Sequence, residues 1–168
     1  MKFITPLAAI TAALTSIACA QVTQIEIAAR YEGIDPGIVE GASKDEPANL
    51  AMPRITVKSG KIATVHVNGE YIFPIGDESH EASAGASIKI TAAYKDGKCT
   101  ISGMSLLRKP DVLESKESLS PKSFVSFETF FSGTVSANTE IPIELGQAVP
   151  GTLFLKLTPL DANGKPAS

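Results

Sequence analysis

The chain has 168 residues, of which 43% are hydrophobic and 20% charged, and a formal net charge of −3. That mild acidity, with no cluster of Lys and Arg, excludes a nucleic-acid backbone as partner. Two cysteines and two histidines, far apart in sequence, are a poor supply of ligands for zinc.

Residues 1–20 read as a signal peptide. Lys2 is the charged start, 4–17 is mostly apolar, and Ala18-Cys19-Ala20 offers a small-x-small cleavage site. The sequence therefore predicts an exported protein, periplasmic or associated with the outer membrane or cell surface, with one β domain over 21–168. Cleavage before Cys19 would leave a lipid anchor there, the one route to a membrane that the sequence offers. With Cys19 removed, Cys99 is the last cysteine, so no intrachain disulfide forms and stability rests on packing. Cys99 shares a strand face with Ile101 and reads as a small buried side chain.

The first strand is predicted over 22–31, with Ile25, Ile27, Ala29 and Tyr31 on one face. Gly33 and Pro36-Gly37 end it. Residues 33–52 carry Gly, Pro and acidic groups with little periodicity, so they read as a long connection with one helical turn at 38–41. The most regular stretch is 53–74, PRITVKSGKIATVHVNGEYIFP. Ile55 and Val57, then Ala63, Val65 and Val67, alternate with polar residues, which puts the apolar groups on one face of each run. Ser59-Gly60 and Asn68-Gly69 both suit tight turns. The stretch therefore reads as a hairpin followed by an extended segment.

Residues 75–85 read as a loop crowding Asp77, Glu78, His80 and Glu81. A strand over 87–94 then turns at Asp96-Gly97 and returns over 99–104. Residues 106–122 read as a polar excursion between Pro110 and Pro121. Strand character resumes at 123–131, Ser132-Gly133 reads as a turn, and strands follow at 140–145 and 152–158. Pro142 cannot donate to a ladder, which argues for an edge strand, and Pro159 is read as the stop of the last one. The fold class expected is all-β, an immunoglobulin-like β-sandwich of about seven to nine short strands with at most short helical turns.

Four segments in this order resemble the secretin domain of type II and type III secretion and type IV pilus outer-membrane channels. They are the opening VTQIEIAARYEGID, the 53–74 stretch, GASIKITAAYKDGKCTISG, and the closing LFLKLTPLDANGKP. Within 53–74 the resemblance rests on Pro53, Ile55-Thr56-Val57, Gly60, Ala63-Thr64-Val65, Gly69-Glu70, Phe73 and Pro74. The polar 106–122 lacks the long alternation of membrane-crossing hairpins. The resemblance thus implies the scaffold of that domain as a small exported immunoglobulin-like module of a type IV pilus gene cluster, not a gated channel.

Chemistry is sparse. His66 lies on the polar side of a strand, and the acidic loop around His80 lacks the spacing of a calcium motif. No serine sits in a Gly-x-Ser-x-Gly setting, and no Gly-rich loop opens a helix. The sequence predicts no enzyme, no cofactor and no metal site. It predicts a structural or assembly component that binds proteins of a pilus or secretion assembly, itself included. The surface expected to do so is the 54–73 hairpin, through Arg54, Thr56, Lys58, Thr64, His66, Glu70, Tyr71 and Phe73. The alternative is a surface adhesin or carbohydrate-binding module using exposed aromatics, with Tyr31, Tyr71, Phe124 and Phe130 as candidates.

Overall fold

The computed structural model describes residues 24–39, 41–43, 45–75, 78–111, 123–146 and 149–167, and of residues 71–82 and 123 the backbone alone. The signal peptide predicted over 1–20, Cys19 included, lies outside the described residues. So do Asp77 and the 112–122 part of the expected polar excursion.

Nine strands are described, in chain order β1 (Gln24–Ile34), β2 (Ala48–Ala51), β3 (Ile55–Lys58), β4 (Ile62–Ile75), β5 (Glu78–Lys95), β6 (Lys98–Asp111), β7 (Ser123–Ser136), β8 (Glu140–Glu144) and β9 (Thr152–Leu160). One sheet runs β2-β1-β9-β8, with β3 on the same side of β1 as β2. The other runs β4-β5-β6-β7. Every pairing is antiparallel. The expectation of an all-β sandwich holds.

The two sheets meet through the apolar side of each alternation. Ile25, Ile27 and Tyr31 of β1 and Leu153, Leu155 and Leu157 of β9 are buried against Ile88 and Ile90 of β5 and Cys99, Ile101 and Leu107 of β6. Burying a side chain of that size contributes roughly 1.5–3 kcal/mol, so these two central strand pairs supply much of the driving force. One polar pair crosses this interior. Ser105 lies on the inward face of β6, and its hydroxyl is 2.8 Å from the Tyr31 hydroxyl of the opposite sheet.

Several local expectations are corrected. Ser59-Gly60 does turn, with Gly60 at φ +80, but it closes no hairpin. β3 pairs with β1 and β4 pairs with β5, so the chain steps from one sheet to the other. The step lets Ile55 and Val57 from one sheet and Ala63 and Val65 from the other pack on the same core. It is pinned to β5, because Gly60 N–H donates to the Ala92 carbonyl at 2.7 Å and Tyr94 N–H to Ser59 Oγ at 3.1 Å. Asn68-Gly69 is no turn: both residues continue β4 opposite Gly85 and Ala84. Ser132-Gly133 likewise continues β7, and the reversal comes at Ala137-Asn138.

The predicted 75–85 loop is mostly strand, since β5 starts at Glu78. β6 extends to Asp111, into the region read as polar excursion. These merged segments make the four-stranded sheet long, with 14, 18, 14 and 14 residues per strand, where short strands were expected. In the 33–52 connection, β2 is an unforeseen strand, and the helical turn falls at Pro36–Ile38 instead of 38–41. β9 runs through Pro159 to Leu160. The Asp96-Gly97 turn forms where expected, both residues at positive φ.

Candidate functional site

The predicted surface is divided between the sheets yet stays on one flank of the sandwich. Thr56 and Lys58 project from the outer face of β3, with Arg54 just ahead of it, and all three are exposed. Thr64, His66 and Glu70 are exposed on β4, the edge of the other sheet. Tyr71 and Phe73 continue β4 opposite Ala82 and His80, and their side chains lie outside the described residues. Among the described residues β3 pairs only with β1 and β4 only with β5, so within them each presents an open backbone edge on this flank. Arg54 lies 3.8 Å from Glu26, a loose exposed pair that adds little by itself.

The opposite flank, which sequence reasoning marked through Pro142 and the aromatic candidates Phe124 and Phe130, is formed by β7 and β8. β8 does lie at the sheet edge, as its proline demands. Its outward residues are Glu140, Pro142 and Glu144, all exposed, and its inward residues Ile141 and Ile143 pack on the core. The alternation of carboxylates with isoleucines was the available signal for an acidic rim.

The best-ordered charge cluster sits on the outer face of the same sheet. The Arg30 guanidinium donates from Nε to Glu32 at 2.8 Å and from both terminal nitrogens to Glu140, and it lies 4.3 Å from the Phe154 ring centre. The hydrogen bond from Arg30 holds the Glu140 carboxyl below its usual range, and the same bond raises Arg30. Three of the five Arg30 N–H donors are thus engaged with carboxylates, and the cluster is a structural clasp between β1 and β8. Lys109 pairs with Asp35 at 2.5 Å, tying β6 to the turn after β1. Burial raises the Asp35 carboxyl, but the bonds from Lys109 and the Gly37 N–H outweigh it, so the group stays below its usual range.

Among the adhesin candidates, Tyr31 is corrected outright: it is fully buried and no surface aromatic. Phe124 lies under Arg108, 4.5 Å from guanidinium carbon to ring centre. Phe130 is 73% exposed and stands beside Met104 on the outer face of the long sheet. Tyr71 has no described side chain. The Cys99 thiol is buried, and burial pushes its pKa up, which works against reactivity. Among the described residues no three His, Cys, Asp or Glu side chains gather into a metal-holding set.

Among the described residues, what remains as a site is a pair of flanks built of open strand edges. No protein-family model matches the chain. No curated protein matches it either. Solved structures do. The secretin-domain β-barrel of InvG from the Salmonella SPI-1 injectisome superposes with a TM-score of 0.51 at 10% identity, over 82% of this chain and 63% of that one. The fold is secretin-like. A second structure of the Salmonella type III secretin InvG gives 0.50 at 10% identity, over 80% and 64% of the two chains. InvG within the basal body, beside PrgH and PrgK, also gives 0.50, over 80% and 45%. The secretin-like chain spans less than two thirds of the length of the proteins it matches, and the likeness is one of fold.

Proposed function

We propose that this protein is a non-catalytic structural or assembly component of a secretion machine at the cell envelope, of the type IV pilus kind, and that it acts by binding other proteins through its sheet edges. The observation that carries the reading is a secretin-like sandwich whose five rim strands β2, β3, β4, β7 and β8 each have, among the described residues, one paired side and one open side. Backbone edges of this kind are general templates for strand addition, and a partner strand gains main-chain hydrogen bonds along its whole length. β4 and β7 are the long edges, and Thr64, His66 and Glu70 lie on the first of them.

The test is co-purification from the native envelope. The tagged chain should bring down secretin or pilus-assembly subunits, identified by mass spectrometry. Thr64→Pro, placed in the open edge of β4, should abolish capture while a circular-dichroism melt stays cooperative. Undiminished capture by that folded variant, or an empty pull-down with the wild-type chain, would sink the proposal.

A further inference from the structure

We infer that a groove across the outer face of the long sheet is a binding site for a sugar acid, a single pyranose ring carrying a carboxylate. The inference stands apart from the assembly reading and uses a sheet face where that reading uses sheet edges. Asn68, Gly85 and Arg108 stand side by side across β4, β5 and β6, and His66, Ser87 and Leu106 form the row beside them. Both rows lie on the outer face, because Val65, Ala86 and Leu107, at the alternate positions, are buried in the core.

Gly85 makes the groove. It sits at φ +136, and a Cβ there would stand 2.1 Å from the Val67 carbonyl oxygen, so β5 admits no side chain at this point. Ser83 and Ser87, two positions to either side, are small. The central strand is thus a low floor between taller walls. The cavity has a volume of about 220 Å³ and is lined by His66, Asn68, Ser83, Ser87, Leu106 and Arg108. β4 and β6 lie two ladder spacings apart, roughly 10 Å, which leaves room for one sugar ring between the walls.

The chemistry of the lining selects the ligand. Arg108 lies against the Phe124 ring, 4.5 Å from guanidinium carbon to ring centre, and the stacking holds the plane of its fork. Among the described residues no carboxylate pairs with it. A fixed guanidinium with no anion of its own is suited to grip a carboxylate at two points. The Ser83 and Ser87 hydroxyls, the Asn68 amide and the His66 imidazole supply donors and acceptors together, as the hydroxyls of a sugar ring require. Among the described residues none of these four side chains is spent on a hydrogen bond within the protein. Leu106 offers the C–H face of the ring an apolar rest. Glu70, Glu128 and Lys89 are exposed on the same face around the groove. Their charges and that of Arg108 cancel, so a phosphate dianion or a polyanionic chain gains no general attraction, whereas one carboxylate is held locally.

NMR chemical-shift mapping on the full chain, titrated with sodium glucuronate, tests this. The amides of His66, Ser87 and Arg108 should shift together with a Kd of about 1 mM, the strength that a ligand of this size reaches in an open groove. Glucose, which lacks the carboxylate, and acetate, which lacks the ring, should each bind about tenfold more weakly or worse. Arg108→Lys keeps the charge but loses the fork, and should weaken glucuronate about tenfold. Ser87→Val raises the floor and should abolish binding, and both variants should melt as the wild type does. No saturable shift with glucuronate, acetate binding as tightly as glucuronate, inorganic phosphate binding more tightly, or undiminished binding by either folded variant would each overturn the proposal.

Discussion

At the scale of single residues, the most informative contact is the hydroxyl pair of Tyr31 and Ser105, 74 positions apart. Removing one member leaves the other hydroxyl buried without a partner, at a cost of about 1–3 kcal/mol. Tyr31→Phe should therefore lower the melting temperature by about 3–6 °C, and Tyr31→Phe with Ser105→Ala should cost less than the two single changes summed. Burial, only partly offset by the bond to Ser105, pushes the Tyr31 pKa up to about 12 from 10.0. Its protonated form is thus favoured in the folded state. That contribution is complete below pH 10 and should drain away between pH 10 and 12, as an alkaline limb in thermal melts that Tyr31→Phe removes. Asp35 and Glu140 work in the opposite sense. Their depressed carboxyl pKa values stabilise the fold above the unfolded carboxylate range, and that stability is lost as pH falls through the folded values. Alternation along β1 puts Tyr31 on the face of Ile25 and Ile27, a signal that conflicts with its place among the exposed aromatic candidates and that the structure upholds. Its hydroxyl partner was not legible in the sequence, because nothing local connects β1 to the middle of β6.

At the scale of elements, the instructive comparison is between turn signals that became turns and those that did not. Asp96-Gly97 reverses the chain at positive φ, as read, while Gly69 and Gly133 lie in unbroken ladders opposite Ala84 and Ile101. A turn dipeptide expresses a preference of a fraction of a kcal/mol to about 1 kcal/mol, and a neighbouring strand that hydrogen-bonds the whole run overrides it. Strand existence was therefore legible from alternation, whereas strand length and pairing depended on partners far along the chain. Two substitutions separate the glycines. Gly85 sits at φ +136, and a Cβ there would stand 2.1 Å from the Val67 carbonyl oxygen. Gly85→Ala should cost about 2–4 kcal/mol in urea unfolding, through strain in β5 and its ladder to β4. Nothing lies within 4 Å of a Cβ at Gly133, and its φ is not positive. Gly133→Ala should raise stability by about 0.5–1 kcal/mol in the same assay.

At the scale of the whole molecule, the candidate site was half legible. The sequence located Arg54, Thr56 and Lys58 on a polar strand face and Pro142 on an edge. It could not show that β3 and β8 are opposite rims of one sheet, because that follows from β9 lying between β1 and β8. It also could not show that β3 and β4 belong to different sheets. The corner between them arises from the need of both runs to bury one apolar face, which a pattern read strand by strand does not reveal. An added long edge strand also brings an association hazard, and the exposed Phe130 and Ile62 on the long sheet add to it. Phe130→Ser should therefore reduce light scattering of concentrated solutions without lowering the melting temperature.

The step at Ser59-Gly60 has a counterpart at Ala137-Asn138, where the chain passes from β7 to β8 and Asn138 N–H donates to the Leu157 carbonyl at 2.8 Å. Both layers are thereby stitched together covalently along each side, like a pillow sewn at two seams. Neither layer can be peeled away alone by a load applied at one rim, because the tension passes through a few peptide bonds to the facing layer. Pulled sideways in a force experiment, such a body should yield in one abrupt event rather than unzip sheet by sheet.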